Sequence, residues 1–541
     1  MMSLLILIPL LMAVGAYWLP RTGAQAALLA SQVATAVLAV AQAVPLLRSG
    51  GQIRETLGGT DQALNIELLG TGTSLGLVVL TSVLVLAASV CALRFANQKF
   101  VLLLLLFQAI VNGLFLTDDV FNLFVLLEVV TLVMVLLILF IKERRSIYDA
   151  LYYLIIQIIG MSFFLLGIAY LYRAVGQLSL SLIALSIASG GVTANQLIVP
   201  LALMLTGLAL KIGLFPLMSY VPRFYGNPGA PVVVLMLSSS VLATAVMYWI
   251  ARLAWAFSPV LDIKPLLLLL GFTTAIGGAI KALAQRDARM LLAFSTVSQA
   301  GLMLIALGAG TAVSERGFIA HLFAHALTKA LLFIGVGALA ESAGSSDLSV
   351  IRQQIWRTPI LGAAFVASAL SMMGFPFTAG GVSKYWIVEG ISGHGWIYWG
   401  VWLVNLGTTL IMAKLILPKR ALGVPSPAAA PENQTAIVTS PIPWYVQAVF
   451  GVLALLLLVF GFTGLSLNIT LSALATKAWQ IAILAAVALF LLYVWSRIIP
   501  KDWSGRAQSV LGNALALPDA CLAVAAFFAA VLLLFLVLGV V

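Results

Sequence analysis

Along this chain apolar residues come in long runs, and strict alternation of apolar and polar positions is rare. The first run is Leu4–Leu19 and the last Leu522–Val541, with similar stretches between them separated by short polar breaks. A bilayer core about 30 Å thick takes roughly 20 residues of helix to cross. A barrel strand takes about ten alternating ones. Backbone in lipid must find its hydrogen bonds within its own element, which leaves helices or closed barrels. The runs are too long and too continuous for strands. The pattern therefore predicts helices near 3–19, 26–46, 74–94, 99–116, 120–141, 149–173, 198–218, 230–254, 264–284, 288–308, 318–340, 359–387, 396–416, 445–466, 473–497 and 521–541. That makes an all-α polytopic membrane protein of about 14–16 crossings. The first run lacks a basic flank and a clean cleavage site, so it reads as a span, with an uncleaved signal-like anchor as the competing reading.

The polar breaks refine this picture. Residues 48–72 are polar and Gly-rich and read as an extracytoplasmic loop. Residues 417–444 carry Pro425, Pro427, Pro431, Pro441 and Pro443 among small residues, as a solvated extended connection would. The sequon Asn433-Gln434-Thr435 in that loop reads as a chance match. Through the eleventh span, loops after odd-numbered spans hold eleven Lys and Arg and the others six. The positive-inside bias then puts the N-terminus outside. Five segments follow: N-terminal helices at 1–98, two comparable blocks at 99–254 and 255–416, the Pro-rich loop, and C-terminal helices at 445–541.

Composition agrees with the run pattern. Of 541 residues, 63% are hydrophobic and 8% charged, against about 25% charged in soluble domains. The net charge of +11 sits mostly in short connections, which speaks for membrane orientation and not for nucleic acid. Two cysteines, Cys91 and Cys521, and three histidines, His321, His325 and His394, offer no disulfide framework, haem, iron–sulfur or metal-site pattern. No cofactor is expected in this chain, and any electron transfer would belong to partner proteins.

Ionisable residues inside the runs are costly, on the order of 2.5–3.5 kcal/mol at a helix centre. Glu128 has no charged neighbour between Asp119 and Lys142. It is either a protonated carboxyl bonding between helices or a proton site. Lys211 has about seven apolar residues on either side and is followed by Gly213 and Pro216, which break or kink the helix beside it. A Lys–Glu pair of variable separation can hold and release a proton. His321, His325 and Lys329 fall at i, i+4 and i+8 on one helix face, a stripe suited to a proton relay. Zinc ligation by the two histidines lacks a third ligand, and helix packing is an equal reading for His321. Lys384 follows a second interruption containing Pro376, Gly380 and Gly381. Two such breaks in two comparable blocks point to a transporter built from repeats. Lys281, Glu389 and Lys414 lie near span ends, where snorkelling is the ordinary reading. Asp118 and Asp119 read as a helix start.

In order and spacing, four stretches resemble the antiporter-like subunits shared by respiratory complex I and Mrp-type cation/proton antiporters, over roughly residues 100–420. They are Leu116-Thr117-Asp118-Asp119-Val120-Phe121-Asn122 with Glu128, Lys211-Ile212-Gly213-Leu214-Phe215-Pro216, Ala284-Gln285-Arg286-Asp287 through Gly301, and His325 with Lys329 followed by Gly374 to Lys384. The Asp-x-Phe-Asn form is most similar to the D-type subunit of Mrp antiporters. The resemblance implies about 14 core helices with two inverted five-helix repeats, each holding a proton half-channel. It assigns Glu128 and Lys211 to a switch pair and Lys329 and Lys384 to relay and exit. It implies other membrane subunits as partners, protons and Na+ as the transported ions, and a bacterial plasma membrane or thylakoid. One departure stands out: the family's second lysine falls near Leu242, where nothing from Phe224 to Ala251 is charged. The competing readings are a proton-pumping subunit of a complex I-type quinone oxidoreductase, a transport-inactive scaffold, and a stand-alone transporter for an organic substrate.

Overall fold

The computed structural model of this chain describes residues 1–58, 65–140, 144–227, 229–393, 395–417, 441–465, 479–480, 482–491 and 517–537. Thirteen of the described helices are long and apolar enough to cross a membrane, or 14 with one bent pair. Most of the predicted 473–497 span, residues 418–440 of the predicted 417–444 loop with its sequon, and His394 lie outside the described residues.

Two compact units divide the chain, Met1–Leu266 with Leu515–Val541, and Leu267–Ala514. The first opens with α1 (Ser3–Trp18) and α2 (Arg21–Ser49). A hairpin follows where a loop was expected: β1 (Gln52–Leu57) pairs antiparallel with β2 (Ile66–Thr71), Gln52 opposite Thr71 and Leu57 opposite Ile66. Then come α3 (Gly72–Ala92), α4 (Gln98–Leu116), α5 (Val120–Ile138), α6 (Arg144–Val175), the short α7 (Leu180–Ala188) and α8 (Ala194–Ile212). At nine residues, α7 is about 14 Å long, too short to cross. Beyond the break after α8 lie a 3₁₀ turn (Met218–Tyr220), α9 (Val221–Tyr225), α10 (Val232–Leu237), a π-helical turn (Ser238–Leu242) and α11 (Ala243–Phe257).

In the second unit the order is α12 (Lys264–Ala284, which begins just before the division), α13 (Ala288–Gly308), α14 (Ala312–Ala343), the short α15 (Leu348–Arg357), α16 (Pro359–Met373), α17 (Ala379–Gly390), α18 (Gly395–Ile416), α19 (Trp444–Leu465) and α20 (Ala482–Leu491). The axis bends by 119° between α15 and α16. The last described helix, α21 (Leu517–Val537), packs on α6 and α8 in the first unit.

Small residues set the closest helix crossings, as expected where lipid supplies no hydrophobic drive between helices. A Cβ on Gly207 of α8 would stand 2.7 Å from the Gly160 carbonyl of α6, and one on Gly167 would stand 2.9 Å from the Pro200 carbonyl. The two backbones therefore nearly touch, and the Lys211 helix is held rigidly against α6.

Asp118 and Asp119, expected to start a helix, divide the work. Asp119 caps α5, its Oδ1 accepting from the Asn122 N–H at 2.7 Å. Asp118 is fully buried and pairs with Arg252 of α11, whose guanidinium also donates to the Thr117 carbonyl and lies 4.4 Å from the Trp249 ring centre. Removing one partner of such a pair leaves the other buried and uncompensated, at a cost of about 3–5 kcal/mol. Asp118→Ala should lower thermal stability in detergent accordingly, and the double variant with Arg252→Leu should recover part of that loss. Equal stability of Asp118→Ala and the parent chain would contradict this role.

A candidate proton-transfer site

In the first unit, Gly213 ends α8 in the left-handed region (φ 75°), with the Leu214 N–H reaching back to the Ala209 carbonyl at 2.8 Å. The chain then breaks through Pro216 and resumes at Met218. Two residues before Gly213, Lys211 is buried, 4% exposed. Its Nζ donates to the Leu127 carbonyl of α5 at 2.8 Å and to the Thr131 hydroxyl. Thr131 itself donates to the Leu127 carbonyl, at 2.7 Å. The ammonium thus sits in a cradle made from one turn of α5, beside Glu128. Glu128 is within electrostatic reach of Lys211 without forming a direct ion pair, and its Oε1 is buried with no hydrogen-bond partner among the described residues.

The second unit repeats this cradle. Lys329 is fully buried, and its Nζ donates to the Leu292 carbonyl at 2.9 Å and to the Ser295 hydroxyl of α13. Ser295 in turn donates to the Leu292 carbonyl at 2.8 Å. Among the described residues no carboxylate pairs with Lys329 or Lys384. Along α14 the expected stripe is present: His321 and His325 are buried with ring centres 6.3 Å apart, and Lys329 lies one turn further on.

His321 is wired to the second broken span. Its Nε2 meets the Gln299 Oε1 at 3.2 Å and its Nδ1 the Ser383 Oγ at 2.9 Å. The Gln299 amide donates onward to the Thr408 hydroxyl at 2.9 Å. An amide oxygen only accepts, so Nε2 carries a proton. In the neutral ring, Nδ1 accepts from Ser383. In the imidazolium, Nδ1–H donates to Ser383, whose hydroxyl then turns to the Gly380 carbonyl at 3.1 Å. Both protonation states are satisfied by rotating one hydroxyl.

That span breaks at Gly374 (φ 97°), passes Pro376, and restarts at Thr378, whose hydroxyl accepts from the Gly381 N–H at 3.2 Å. A Cβ on Gly380 would fall 1.9 Å from the Ser371 carbonyl oxygen, and one on Gly381 2.2 Å from that of Phe375. Only glycine lets α17 restart so close to α16. Lys384 follows at once, 5% exposed, and its Nζ has no hydrogen-bond partner among the described residues. It lines a cavity of about 50 Å³ together with Asn405, whose Oδ1 is also unpartnered.

The remaining candidates stand apart. Lys281 is half-buried, 5.6 Å from the Phe294 ring centre. Glu389 is exposed. Lys414 donates to the Leu283 and Gln285 carbonyls and so closes the end of α12. Sequence reasoning missed Thr131, Ser295, Gln299 and Ser383, neutral groups that leave no charge signal in an apolar run. It also missed the π turn that occupies the expected second-lysine position near Leu242. There Ser239 and Ser240 are fully buried, and the Tyr225 hydroxyl lies 3.2 Å from that of Ser238.

Comparison with known proteins agrees with this geometry. Residues 117–411 match the family model described as NADH:quinone oxidoreductase/Mrp antiporter, TM. NADH-quinone oxidoreductase subunit N of Desulforudis audaxviator is 33% identical over 451 residues, covering 80% of this chain and 88% of that protein. The D-type subunit of the Na(+)/H(+) antiporter of Alkalihalophilus pseudofirmus is 31% identical over 283 residues, 51% of this chain and 56% of that one. Among solved structures, a chain of the Mrp complex from a Dietzia species aligns with a TM-score of 0.73 at 22% identity, covering 91% of this chain and 99% of that one. A chain of an archaeal membrane-bound sulfane sulfur reductase aligns at 0.75 and 22%, covering 92% and 99%. With the family model spanning more than half its length, both broken spans inside the match, and a subunit N relative aligned over most of both chains, this protein belongs to the NADH:quinone oxidoreductase/Mrp antiporter transmembrane family.

Proposed function

We propose that the chain is the proton-translocating membrane subunit of a multisubunit cation/proton antiporter, of the D type found in Mrp complexes. The observation that carries this reading is the repeated cradle. In each unit a buried lysine rests on a backbone carbonyl and a hydroxyl of a neighbouring helix, and in the first unit a carboxyl lies within electrostatic reach. A lysine held by neutral acceptors can give up its proton without leaving a salt bridge half broken. In this reading Glu128 and Lys211 form the switch pair, His325 and Lys329 the relay, with His321 supporting it, and Lys384 the exit. The partners are other membrane subunits, the ions protons and Na+, and the membrane a bacterial plasma membrane with the N-terminus outside.

A second reading, an antiporter-like pumping subunit of a complex I-type quinone oxidoreductase, is favoured by the long alignment with a subunit N. Purifying the tagged chain from its native membrane in mild detergent and reconstituting the resulting complex into vesicles separates the two. The antiporter reading expects co-purifying small membrane subunits without redox proteins, and Na+-driven movement of protons. Quinone-reductase partners and proton movement driven only by redox substrates would replace it with the second reading.

A further inference from the structure

The two units share a register that fixes which residues correspond. Asp119 and Asp287 each cap a helix, Oδ1 accepting from the Asn122 N–H in one and from the Arg289 and Met290 N–H groups in the other. Each also forms an isolated β-bridge to a later loop, Asp119 with Ser179 and Asp287 with Asp347. The long helices preceding those loops, α6 and α14, end in left-handed glycines, Gly176 and Gly344. Each of these three pairs is 168 positions apart. The same offset relates Gly167, packed on α8, to Gly335, packed on Phe365 of α16. It places α6 on α14 residue by residue, so Tyr153 corresponds to His321, Gln157 to His325 and Met161 to Lys329.

Among the described buried side chains, Gln157 and His325 alone have both polar atoms without a hydrogen-bond partner in the protein. They are 0% and 2% exposed. These two occupy the same register position. Buried amides and imidazoles are almost always satisfied, and one that is not calls for a ligand or ordered water. Gln157 lies close enough to Tyr220 to interact with its side chain, and the Tyr220 hydroxyl donates to the Lys211 carbonyl at 2.9 Å. Tyr153 packs against Tyr220 with ring centres 5.5 Å apart and the planes tilted by 57°, and is within electrostatic reach of Glu128. The amide therefore stands next to the switch pair, on the α6 side.

We propose that Gln157 holds water in the first unit at the position His325 occupies in the second, so that protons reach or leave Lys211 through water hydrogen-bonded to this amide. An amide accepts through Oε1 and donates through Nε2, so it can sit within a water chain without taking up the proton. It is a positioning residue, and the proposal rests on the proton-translocating reading above.

The test uses the whole complex in vesicles, with assembled yield measured beside proton flux. Gln157→Leu keeps the volume and removes both polar groups. It should lower flux at least tenfold at unchanged yield. Gln157→His, which installs the second unit's residue, should keep flux within about twofold of the parent. Lys211→Ala, run in parallel, reports on the reading itself. Parent-like flux in Gln157→Leu with an inactive Lys211→Ala would overturn the Gln157 role and leave the reading intact. A Gln157→His complex that assembles and is as inactive as Gln157→Leu would also overturn it, since shape and not hydrogen bonding would then decide. Parent-like flux in Lys211→Ala would remove the reading and this inference together.

Discussion

In Lys211→Ala, proton flux through the reconstituted complex is expected to fall to the level of empty vesicles, with subunit yield unchanged. The fold should survive because Lys211 is not what holds α8. The Gly160, Gly167 and Gly207 contacts fix that helix on α6, and alanine is the strongest helix former. Losing the packing of the aliphatic stem is offset in part by no longer burying an ammonium away from a direct counter-ion. Function should not survive, because Glu128 is left without its partner and the Leu127 carbonyl and Thr131 hydroxyl of the cradle do not take up and release a proton. Lys211→Arg separates charge from proton transfer. A guanidinium keeps its charge and does not deprotonate in proteins, so Lys211→Arg should be as inactive as Lys211→Ala. Flux in Lys211→Arg comparable to the parent would mean that the residue serves as a fixed charge. The measurement is acidification of the vesicle lumen followed with a pH-sensitive dye, normalised to assembled complex.

Gly380→Ala should have the largest structural effect of any single methyl added to the chain's described glycine positions. The new Cβ would lie 1.9 Å from the Ser371 carbonyl oxygen, 2.7 Å from its carbon and 2.8 Å from its hydroxyl. Two of these are backbone atoms of α16 and cannot rotate away, so the first turn of α17 must move. Overpacking a well-formed interior costs about 1–3 kcal/mol, and a clash with fixed backbone belongs at or beyond the top of that range. The shift would also displace Ser383 and Lys384, one turn further on. Gly451→Ala is the matched control, since a Cβ there meets nothing within 4 Å. Thermal unfolding followed by size-exclusion should show Gly380→Ala lost or sharply destabilised and Gly451→Ala unchanged or slightly improved. An assembled Gly380→Ala complex as stable as the control would show that α17 can slide along α16.

The spans were legible in the sequence because lipid demands long apolar runs, and each described span falls within a few residues of its run. Lys211, Lys329, Lys384 and the two histidines were legible for the opposite reason: a charge or titratable ring in such a run is too costly to be casual. The breaks were legible through Gly213, Pro216, Pro376 and Gly380. What stayed hidden is neutral or short. The β1–β2 hairpin lies in a stretch too polar and too brief for alternation to stand out. Helices α7 and α15 are too short to register as crossings. Thr131, Ser295 and Gln157 carry no charge to mark them in an apolar run, although the first two hold the lysines. The repeat register was hidden because it lives in backbone features, capping aspartates and left-handed glycines, and the side chains between them have diverged to pairs as unlike as Met161 and Lys329.

Helix α21 has a consequence for the order in which this protein is made. It lies against α6 and α8 and belongs to the first unit, yet it leaves the ribosome about 250 residues after the rest of that unit. At roughly 5–20 residues per second, that is a delay of tens of seconds or less. During it, α8, which carries Lys211, and its neighbour α6 lack that helix, whose Phe528 in the finished protein meets Phe163 of α6 at 5.7 Å between ring centres. The α6–α8 pair is therefore assembled early and covered by α21 last. Insertion factors or neighbouring subunits that arrive in that interval meet a surface that the finished protein no longer presents.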